Sequence, residues 1–254
     1  MNLSEKQIQR YARHILLKEV GGEGQAKLLN AKVLVVGAGG LGSPLILYLA
    51  AAGVGTIGVV DHDVVELSNL QRQILHTNSR LKMPKVQSAV AAIEDINPDV
   101  TIIPHHHKLT EANAGELISS YDLVADGCDN FATRFIVNDA CYAAKRTLVS
   151  AAVLRFDGQL ATFRPHEGGP CYRCLFPTAP PPGEVPICAE AGILGAVAGT
   201  MGTLQATEIL KEILGIGRSM AGRLTIYDGL EGTIRIVKVL PDPACTLCST
   251  EPDS

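Results

Sequence analysis

The first part of the chain alternates compact apolar runs with amphipathic stretches. We predict buried strands at the apolar runs 32–36, 56–60, 100–104, 122–125 and 147–153. We predict helices at the amphipathic stretches 41–52, 84–96 and 131–145. This alternation favours an α/β fold, a Rossmann-like, doubly wound and mainly parallel sheet with helices on both faces.

A further helix is expected before the first strand. Ser4 and Gln7 have the spacing of a capping box, which predicts an amphipathic helix from there to about residue 18. Glycines at 21, 22 and 24 are expected to break the helical pattern.

The pattern of apolar and polar residues changes after residue 153. Three alternating segments, 159–164, 223–227 and 233–239, predict antiparallel strands that extend the parallel sheet. A glycine-rich helix is expected over 194–214, where Gly195, Gly199 and Gly202 would allow a close backbone approach. The proline-rich stretch 177–186 is predicted to be an exposed, mobile crossover. We therefore expect a single domain with two halves, 1–153 and 154–254.

Composition narrows the class of protein. The chain has 254 residues, 46% of them hydrophobic and 19% charged, which fits a globular protein with a sizeable core. Its net charge of −4 and the lack of a basic cluster give no support for nucleic-acid binding. The stretch 33–60 has no charged residue, but seven glycines interrupt it, so we expect no membrane span. Residues 1–10 lack the apolar core of a secretion signal, and we expect a cytoplasmic protein.

A glycine motif follows the first predicted strand and indicates a nucleotide site. The motif consists of Gly37, Ala38, Gly39, Gly40, Leu41 and Gly42. Glycines let the backbone approach phosphates, and a helix N-terminus offers free N–H groups. Asp61 ends the second strand, where a carboxylate accepts hydrogen bonds from ribose hydroxyls. A tight turn without a ligand is the structural alternative, and the motif alone does not separate ATP from NAD.

The next loop favours ATP. It brings donors and a cation close behind the ribose-binding strand: Ser68, Asn69, Leu70, Gln71, Arg72 and Gln73. Lys85 then lies in the first turn of a helix, where the helix dipole disfavours a cation. A bound polyphosphate would explain that position, whereas the alternative is a solvated surface lysine. Asp129 and Asn130 follow the fourth strand, and Asp129 is a candidate Mg²⁺ ligand, although simple helix capping also fits this pair.

The seven cysteines indicate a metal site rather than disulfides. Four of them form two pairs with zinc-ligand spacing: Cys171, Cys174, Cys245 and Cys248. Four thiolates close the coordination shell, so a structural Cys₄ Zn²⁺ site is predicted, with free thiols as the alternative. We interpret Cys128 and Cys141 as buried small residues. Consecutive histidines at 105–107 point in different directions on a strand end, which favours a solvated edge over a metal site.

Taken in this order, and together with the segment Tyr11-Ala12-Arg13-His14, these motifs resemble the MoeB/ThiF/HesA family of ubiquitin-activating-type adenylyltransferases. The resemblance extends to Cys248 and covers nearly the whole chain. It implies that ATP and a small ubiquitin-like sulfur-carrier protein ending in Gly-Gly form a carrier acyl-adenylate and pyrophosphate, with the carrier bound by the half 154–254. By this resemblance Asn69, Arg72 and Lys85 hold phosphates, Asp61 the ribose and Asp129 the magnesium.

The resemblance also implies partners and a second candidate step. A homodimer is expected, in which Arg13 reaches the ATP of the other subunit. Cys188 matches the family's candidate thioester or persulfide cysteine, and direct transfer to a sulfur donor is the open alternative. We expect a separate sulfur-donor protein. The segment around Cys188 looks more like the molybdopterin branch than the thiamine branch, and a tRNA-thiolation carrier is a further alternative. The competing classes are a nicotinamide- or flavin-dependent oxidoreductase and a non-catalytic zinc scaffold.

Overall fold

The computed structural model describes residues 3–181 and 191–249, and one eight-stranded sheet runs through both segments. Its strands are β1 Lys32–Val36, β2 Thr56–Val60, β3 Thr101–His105, β4 Leu123–Asp126, β5 Thr147–Leu154, β6 Asp157–Phe163, β7 Arg223–Asp228 and β8 Thr233–Lys238. Their spatial order is β3-β2-β1-β4-β5-β6-β7-β8. Neighbours from β3 to β5 are parallel, and β6, β7 and β8 add on antiparallel. The predicted fold class is confirmed.

Helices cover both faces of the sheet. They are α1 Glu5–Ile15, α2 Gly21–Asn30, α3 Gly42–Ala52, α4 Lys85–Ile96, α5 Glu111–Ser119, α6 Phe131–Ala143, α7 Tyr172–Leu175 and α8 Gly195–Leu214. Side chains of α2, α3, α4 and α8 share one buried apolar cluster, and those of α5 and α6 share the other. In the described part of the chain, no helix has both the length and the apolar character to cross a membrane.

The central strands are predictable because both of their faces are covered. In β1 every residue after Lys32 is buried, with Val33 and Val35 in one cluster and Leu34 and Val36 in the other. Such a strand is a continuous apolar run rather than an alternating one. Its bounds therefore match those predicted for it.

The N-terminal region differs from the prediction. The capping box at Ser4 and Gln7 is present, but a second helix, α2, begins at Gly21, where we expected glycines to break the pattern. Gly24 lies against α8, and a Cβ added there would come within 3.0 Å of Leu214. Since Leu28 of α2 is also buried, tertiary packing overrides the low helix propensity of glycine here.

The glycines of α8 have unequal surroundings. A Cβ on Gly202 would overlap the backbone oxygen of Leu41 and crowd Pro44 of α3. A Cβ on Gly195 would overlap the backbone oxygen of Gln71, whereas one on Gly199 would meet nothing within 4 Å. Close packing of α8 on α3 therefore requires glycine at 202 and not at 199.

These two positions give a matched pair of variants. We expect Gly202→Ala to lower the free energy of unfolding by about 1–3 kcal/mol, because the methyl group forces two packed helices apart. Gly199→Ala should raise it by about 0.5–1 kcal/mol, because alanine is the better helix former. Urea unfolding measures both changes. Equal effects at the two sites would contradict the packing argument.

Candidate functional site

The main cleft lies at the carboxyl ends of β1, β2, β4 and β5. This is the switch point of the sheet, because β2 and β3 lie on one side of β1 while β4 and β5 lie on the other. The cleft has a volume of about 1020 Å³. The candidate nucleotide-site residues from the sequence that line it are Gly37, Gly39, Gly40, Leu41, Asp61, Arg72, Gln73, Lys85, Asp129 and Asn130.

The glycine loop is folded tightly between β1 and α3. Gly37 has φ +93°, in the left-handed region, and a Cβ there would lie 3.1 Å from the backbone oxygen of Gly127. A Cβ on Gly42 would overlap the oxygen of Gly37, so Gly42 shapes the turn although it does not line the cleft. The loops that follow β1 and β4 therefore touch, and the start of α3 is directed at the cleft.

Two buried polar atoms beside this loop lack a hydrogen-bond partner within the described residues. Gln73 lines the cleft, and its Oε1 is unpaired. Ser43 lies in the first turn of α3, and its Oγ is also unpaired. Buried polar groups normally form hydrogen bonds, so an unpaired atom at this loop indicates that a further group can bind there. A ligand in the cleft could reach Oε1 of Gln73 with a donor group such as a hydroxyl, whereas Ser43 does not line the cleft.

Lys85 is buried in the wall of the cleft, so its interpretation as a solvated surface lysine is wrong. Its Nζ lies 2.8 Å from Oδ2 of Asp63, which is half exposed. Burial acts to raise the pKa of Asp63, but the hydrogen bond and the charge of Lys85 outweigh it, and the pKa is lowered. Asp63 was not predicted from the sequence, although its place two residues after Asp61 was an available signal.

Asp61 is already engaged with the backbone. Its Oδ2 accepts the N–H of Ala38 at 2.8 Å, and its Oδ1 accepts the N–H of Asp63 at 2.8 Å. Each carboxylate oxygen has a further lone pair. Asp61 therefore fixes the glycine loop and can still accept from a ligand in the cleft.

The loop 68–73 presents only its last two residues to the cleft. Arg72 donates from Nη1 to the oxygen of Ser68 at 3.1 Å, and its backbone N–H donates to the oxygen of Asn69. Ser68, Asn69, Leu70 and Gln71 do not line the cleft. They form the turn that places Arg72 and Gln73.

Asp129 is exposed on a turn held by buried charges. Arg134 donates from Nη2 to the oxygen of Cys128 at 2.6 Å, and its Nη1 lies 3.4 Å from Oδ2 of Asp126. Ser150 donates to the same Oδ2 at 2.8 Å. Burial acts to lower the pKa of Arg134, yet Asp126 raises it overall. This network was not predictable from the sequence, because its members come from three elements.

Asn130 has both a structural role and a position in the cleft, whereas Cys128 and Cys141 are buried. Asn130 caps α6 by accepting the N–H of Thr133 at 2.9 Å and also lines the cleft. The prediction that Cys128 and Cys141 are buried is confirmed, and burial raises the pKa of both thiols.

Arg13 lies far from the cleft of its own chain. In α1 the hydroxyl of Tyr11 accepts from Nδ2 of Asn97 at 2.8 Å, at the C-terminal end of α4. Crossover helices run opposite to the strands, so this end of α4 lies at the amino edge of the sheet. Arg13 is exposed there. Cys188 and part of the proline-rich stretch lie outside the described residues.

The four paired cysteines converge on one point. Their Sγ atoms are separated by 4.0 Å (Cys171–Cys174), 3.6 Å (Cys171–Cys245), 3.3 Å (Cys174–Cys248) and 3.6 Å (Cys245–Cys248). Tetrahedral Zn²⁺ with Zn–S bonds of about 2.3 Å holds neighbouring sulfurs about 3.8 Å apart. The cluster could therefore bind zinc, and it joins the C-terminal segment to α7.

Comparison with known proteins identifies the family to which the chain belongs. The model of the ThiF family matches residues 11–247. The chain belongs to the ThiF family. It is 49% identical, over 98% of its length, to the Aedes aegypti protein named adenylyltransferase and sulfurtransferase MOCS3, of which it spans 57%. It is 48% identical to the Thermus thermophilus sulfur carrier protein adenylyltransferase, over 99% of this chain and 94% of that protein. It is also 48% identical to the Haloferax volcanii SAMP-activating enzyme E1, over 98% of this chain and 91% of that protein.

Solved structures share the fold at lower identity. The crystal structure of E. coli MccB with MccA-N7isoASN superposes with a TM-score of 0.84 at 21% identity, over 98% of this chain and 76% of that one. The structure of E. coli MccB with ATP gives 0.80 at 18% identity, over 98% and 83%. These superpositions confirm the fold that the family resemblance implied.

The buried ion pair beneath Asp129 makes a stability prediction. Arg134→Met should lower the free energy of unfolding by about 3–5 kcal/mol, because it leaves the Asp126 carboxylate buried without its cation. Urea unfolding measures the loss. Arg146→Met is the control, since that guanidinium is more accessible and, among the residues the structure describes, donates only to the oxygen of Ser119. A small effect at 134 would show that Asp126 is satisfied without the arginine.

Proposed function

We propose that this chain uses ATP to adenylate the C-terminal glycine of a small ubiquitin-like sulfur-carrier protein and releases pyrophosphate. The observation that carries the proposal is the convergence of Arg72, Lys85 and Asp129 on one cleft beside the glycine loop. Family membership and the names of the relatives support it. A nicotinamide- or flavin-dependent oxidoreductase would have no use for a lysine buried at this place.

The nucleotide would lie with its phosphates at the start of α3. Arg72 and Lys85 would neutralise phosphate charge, and Asp61 would accept from the ribose. Asn69 is the less direct member, because it does not line the cleft and supports Arg72 through its backbone oxygen. Asp129 would hold Mg²⁺, which typically takes one or two carboxylates together with phosphate oxygens and water. That ion would supply charge neutralisation to the leaving pyrophosphate.

The reaction needs no nucleophilic side chain. The carrier carboxylate attacks the α-phosphorus, a P–O bond forms, and the bond to the pyrophosphate oxygen breaks with its electron pair. Positioning and charge stabilisation account for most of the catalysis in such transfers. The Asp63 contact fits this chemistry, because it keeps the Lys85 ammonium directed along the cleft wall before phosphates arrive.

The carrier tail would enter from the antiparallel side. Beyond Asp129 the cleft continues between the β5–β6 strands and α7, lined by Leu154, Gln159, Tyr172 and Phe176. A tail ending in Gly-Gly lacks side chains and suits a narrow passage. All six residues of the edge strand β8 are exposed, including Ile234 and Ile236, which supports docking of the carrier on the half 154–254.

We propose a homodimer with shared sites. Arg13 is exposed at the amino edge of the sheet, away from the cleft of its own chain. A role for Arg13 in adenylation therefore requires a second subunit. The neighbouring Leu16 and Leu17 are exposed apolar residues, which supports burial of this end of α1 against a partner.

Further proposals concern the pathway. We favour the molybdopterin-synthase carrier, for molybdenum cofactor biosynthesis, over a thiamine or tRNA-thiolation carrier, with sulfur supplied by a separate donor protein in the cytoplasm. The chain spans little more than half of several relatives whose names include a sulfurtransferase, so its own sulfur source stays a proposal. Cys188 stays a candidate for the covalent thioester or persulfide step.

Carrier-dependent ATP–pyrophosphate exchange tests the function. With Mg²⁺ and separate carriers ending in Gly-Gly, exchange is expected with the molybdopterin carrier and not without a carrier. Exchange with another carrier would reassign the pathway. No exchange with any of them, from a folded protein that binds ATP, would favour the non-catalytic scaffold.

Asp129→Ala should reduce the exchange rate by about 100-fold or more, because magnesium loses its carboxylate at the developing charge. Asp95→Ala removes an exposed carboxylate on α4 and serves as the control. Cys188→Ala should also leave exchange intact, since adenylation precedes any thioester. Full activity of Asp129→Ala would contradict the role of Asp129 as a magnesium ligand. Loss of exchange in Cys188→Ala would show that adenylation also depends on Cys188.

We propose that the cysteine cluster holds one structural Zn²⁺ per chain. Cys248→Ser should abolish bound zinc and lower the melting temperature, because the C-terminal segment loses its link to α7. Elemental analysis with a thermal melt measures both. Cys188→Ser is the matched control and should retain zinc. Unchanged zinc content in Cys248→Ser would rule out this site.

A further inference from the structure

The peptide groups of Ala38, inside the glycine loop, are held on both sides. Its N–H donates to Oδ2 of Asp61 at 2.8 Å. Its oxygen lies 2.9 Å from Nε2 of His76. Ala38 and His76 are both buried and neither lines the cleft, so the His76 contact acts on the loop from behind, whereas Asp61 holds it from the cleft side.

The proton positions on His76 follow from its partners. A carbonyl oxygen only accepts, so Nε2 must donate to Ala38. In the neutral ring Nδ1 then accepts, and the hydroxyl of Ser88, 2.8 Å away on α4, must be the donor. Burial lowers the pKa of His76, as do Lys85 and Arg80, against the opposing effects of the Ala38 oxygen and Asp61. A neutral ring with one fixed tautomer is therefore the state that fits this site.

A second route links Ala38 to the same helix. Asp61 accepts the N–H of Asp63, whose carboxylate accepts from Nζ of Lys85. Lys85 and Ser88 stand one turn apart on α4. The contacts thus form a closed ring, here called the Ala38 ring: Ala38, Asp61, Asp63, Lys85, Ser88 and His76.

We propose that His76 is a positioning residue for the phosphate-binding loop, which it holds by fixing the Ala38 oxygen behind the loop. This directs the oxygen away from the cleft and leaves the loop's N–H groups for phosphate. A carbonyl turned towards the phosphates would repel them, whereas N–H groups attract them. The effect on nucleotide binding rests on the proposed function, but the effect on the loop does not.

Two substitutions of His76 separate the effect of its hydrogen-bond donor from the effect of its side-chain volume. Leucine keeps much of the ring's volume and removes the donor, leaving a buried oxygen unpaired. Glutamine carries an N–H₂ group at the end of its side chain that can replace the Nε2–H. His105 offers a matched control, because its Nε2 pairs with the hydroxyl of Tyr121 at 2.8 Å and its side chain does not line the cleft.

The test combines ATP·Mg²⁺ affinity by calorimetry with hydrogen–deuterium exchange of the peptide covering 37–42, measured without nucleotide. His76→Leu should weaken ATP binding about tenfold and speed exchange in the loop, since an unpaired buried carbonyl has a cost of that order. His76→Gln should remain close to the unmodified protein in both. His105→Leu is the control: its melting temperature is compared with that of His76→Leu, and its ATP affinity should stay unchanged.

Several results would overturn the proposal. One is a folded His76→Leu with unchanged affinity and unchanged exchange, and another is His76→Gln as impaired as His76→Leu. If His76→Leu does not fold, Ser88→Ala removes only the Nδ1 hydrogen bond that orients the ring, and about a two- to threefold weakening with faster loop exchange is expected, whereas no change overturns the proposal. If the unmodified protein binds no ATP, the proposed function fails, and loop exchange alone decides the role of His76.

Discussion

Buried charge at the carboxyl edge of the sheet is the constraint on which the site depends. Lys85 and Arg134 are both cations removed from water, and such groups persist only with a partner. Each has a carboxylate that follows or ends a neighbouring strand, Asp63 after β2 and Asp126 in β4. The two ion pairs stand on either side of the glycine loop. Strand order thus determines where the charges lie, and the charges determine how the connecting loops are held.

The cysteine cluster is connected to the cleft through a short helix. Cys171 and Cys174 flank the start of α7, whose Tyr172 lines the cleft and donates its N–H to Asn138 at 2.8 Å. Arg173 pairs with Asp139 of α6 at 2.6 Å and lies over the ring of Phe135. Through α7, the last segment of the chain and the wall of the cleft are parts of one packed unit. Loss of the cysteine cluster would in this way be felt at the wall of the cleft that Tyr172 forms.

Local sequence signals predicted most of the fold and part of the site. Strands such as β1 were predictable because burial on both faces leaves a continuous apolar run, and the glycine loop was predictable because only glycine fits it. Pairing across elements was not: α2 forms through contacts with α8, and His76, Asp63 and Arg134 have partners that only the folded chain brings near. Lys85 was identified from its place at a helix start, yet its burial was not visible in the sequence. The cysteine pairs were predicted by spacing, whereas their meeting point was supplied by the sheet.

The exposed edge strand β8 has a cost as well as a use. Its outer backbone groups have no neighbouring strand within the described residues, and such an edge is a template for pairing with any extended chain. Charged side chains on the same strand, Arg235 and Lys238, are the kind of residue that discourages edge-to-edge aggregation. A strand edge that is proposed to dock a carrier must also be kept from pairing with other copies of this chain. The balance between apolar and charged residues on β8 is therefore expected to govern self-association through this edge as the protein concentration rises.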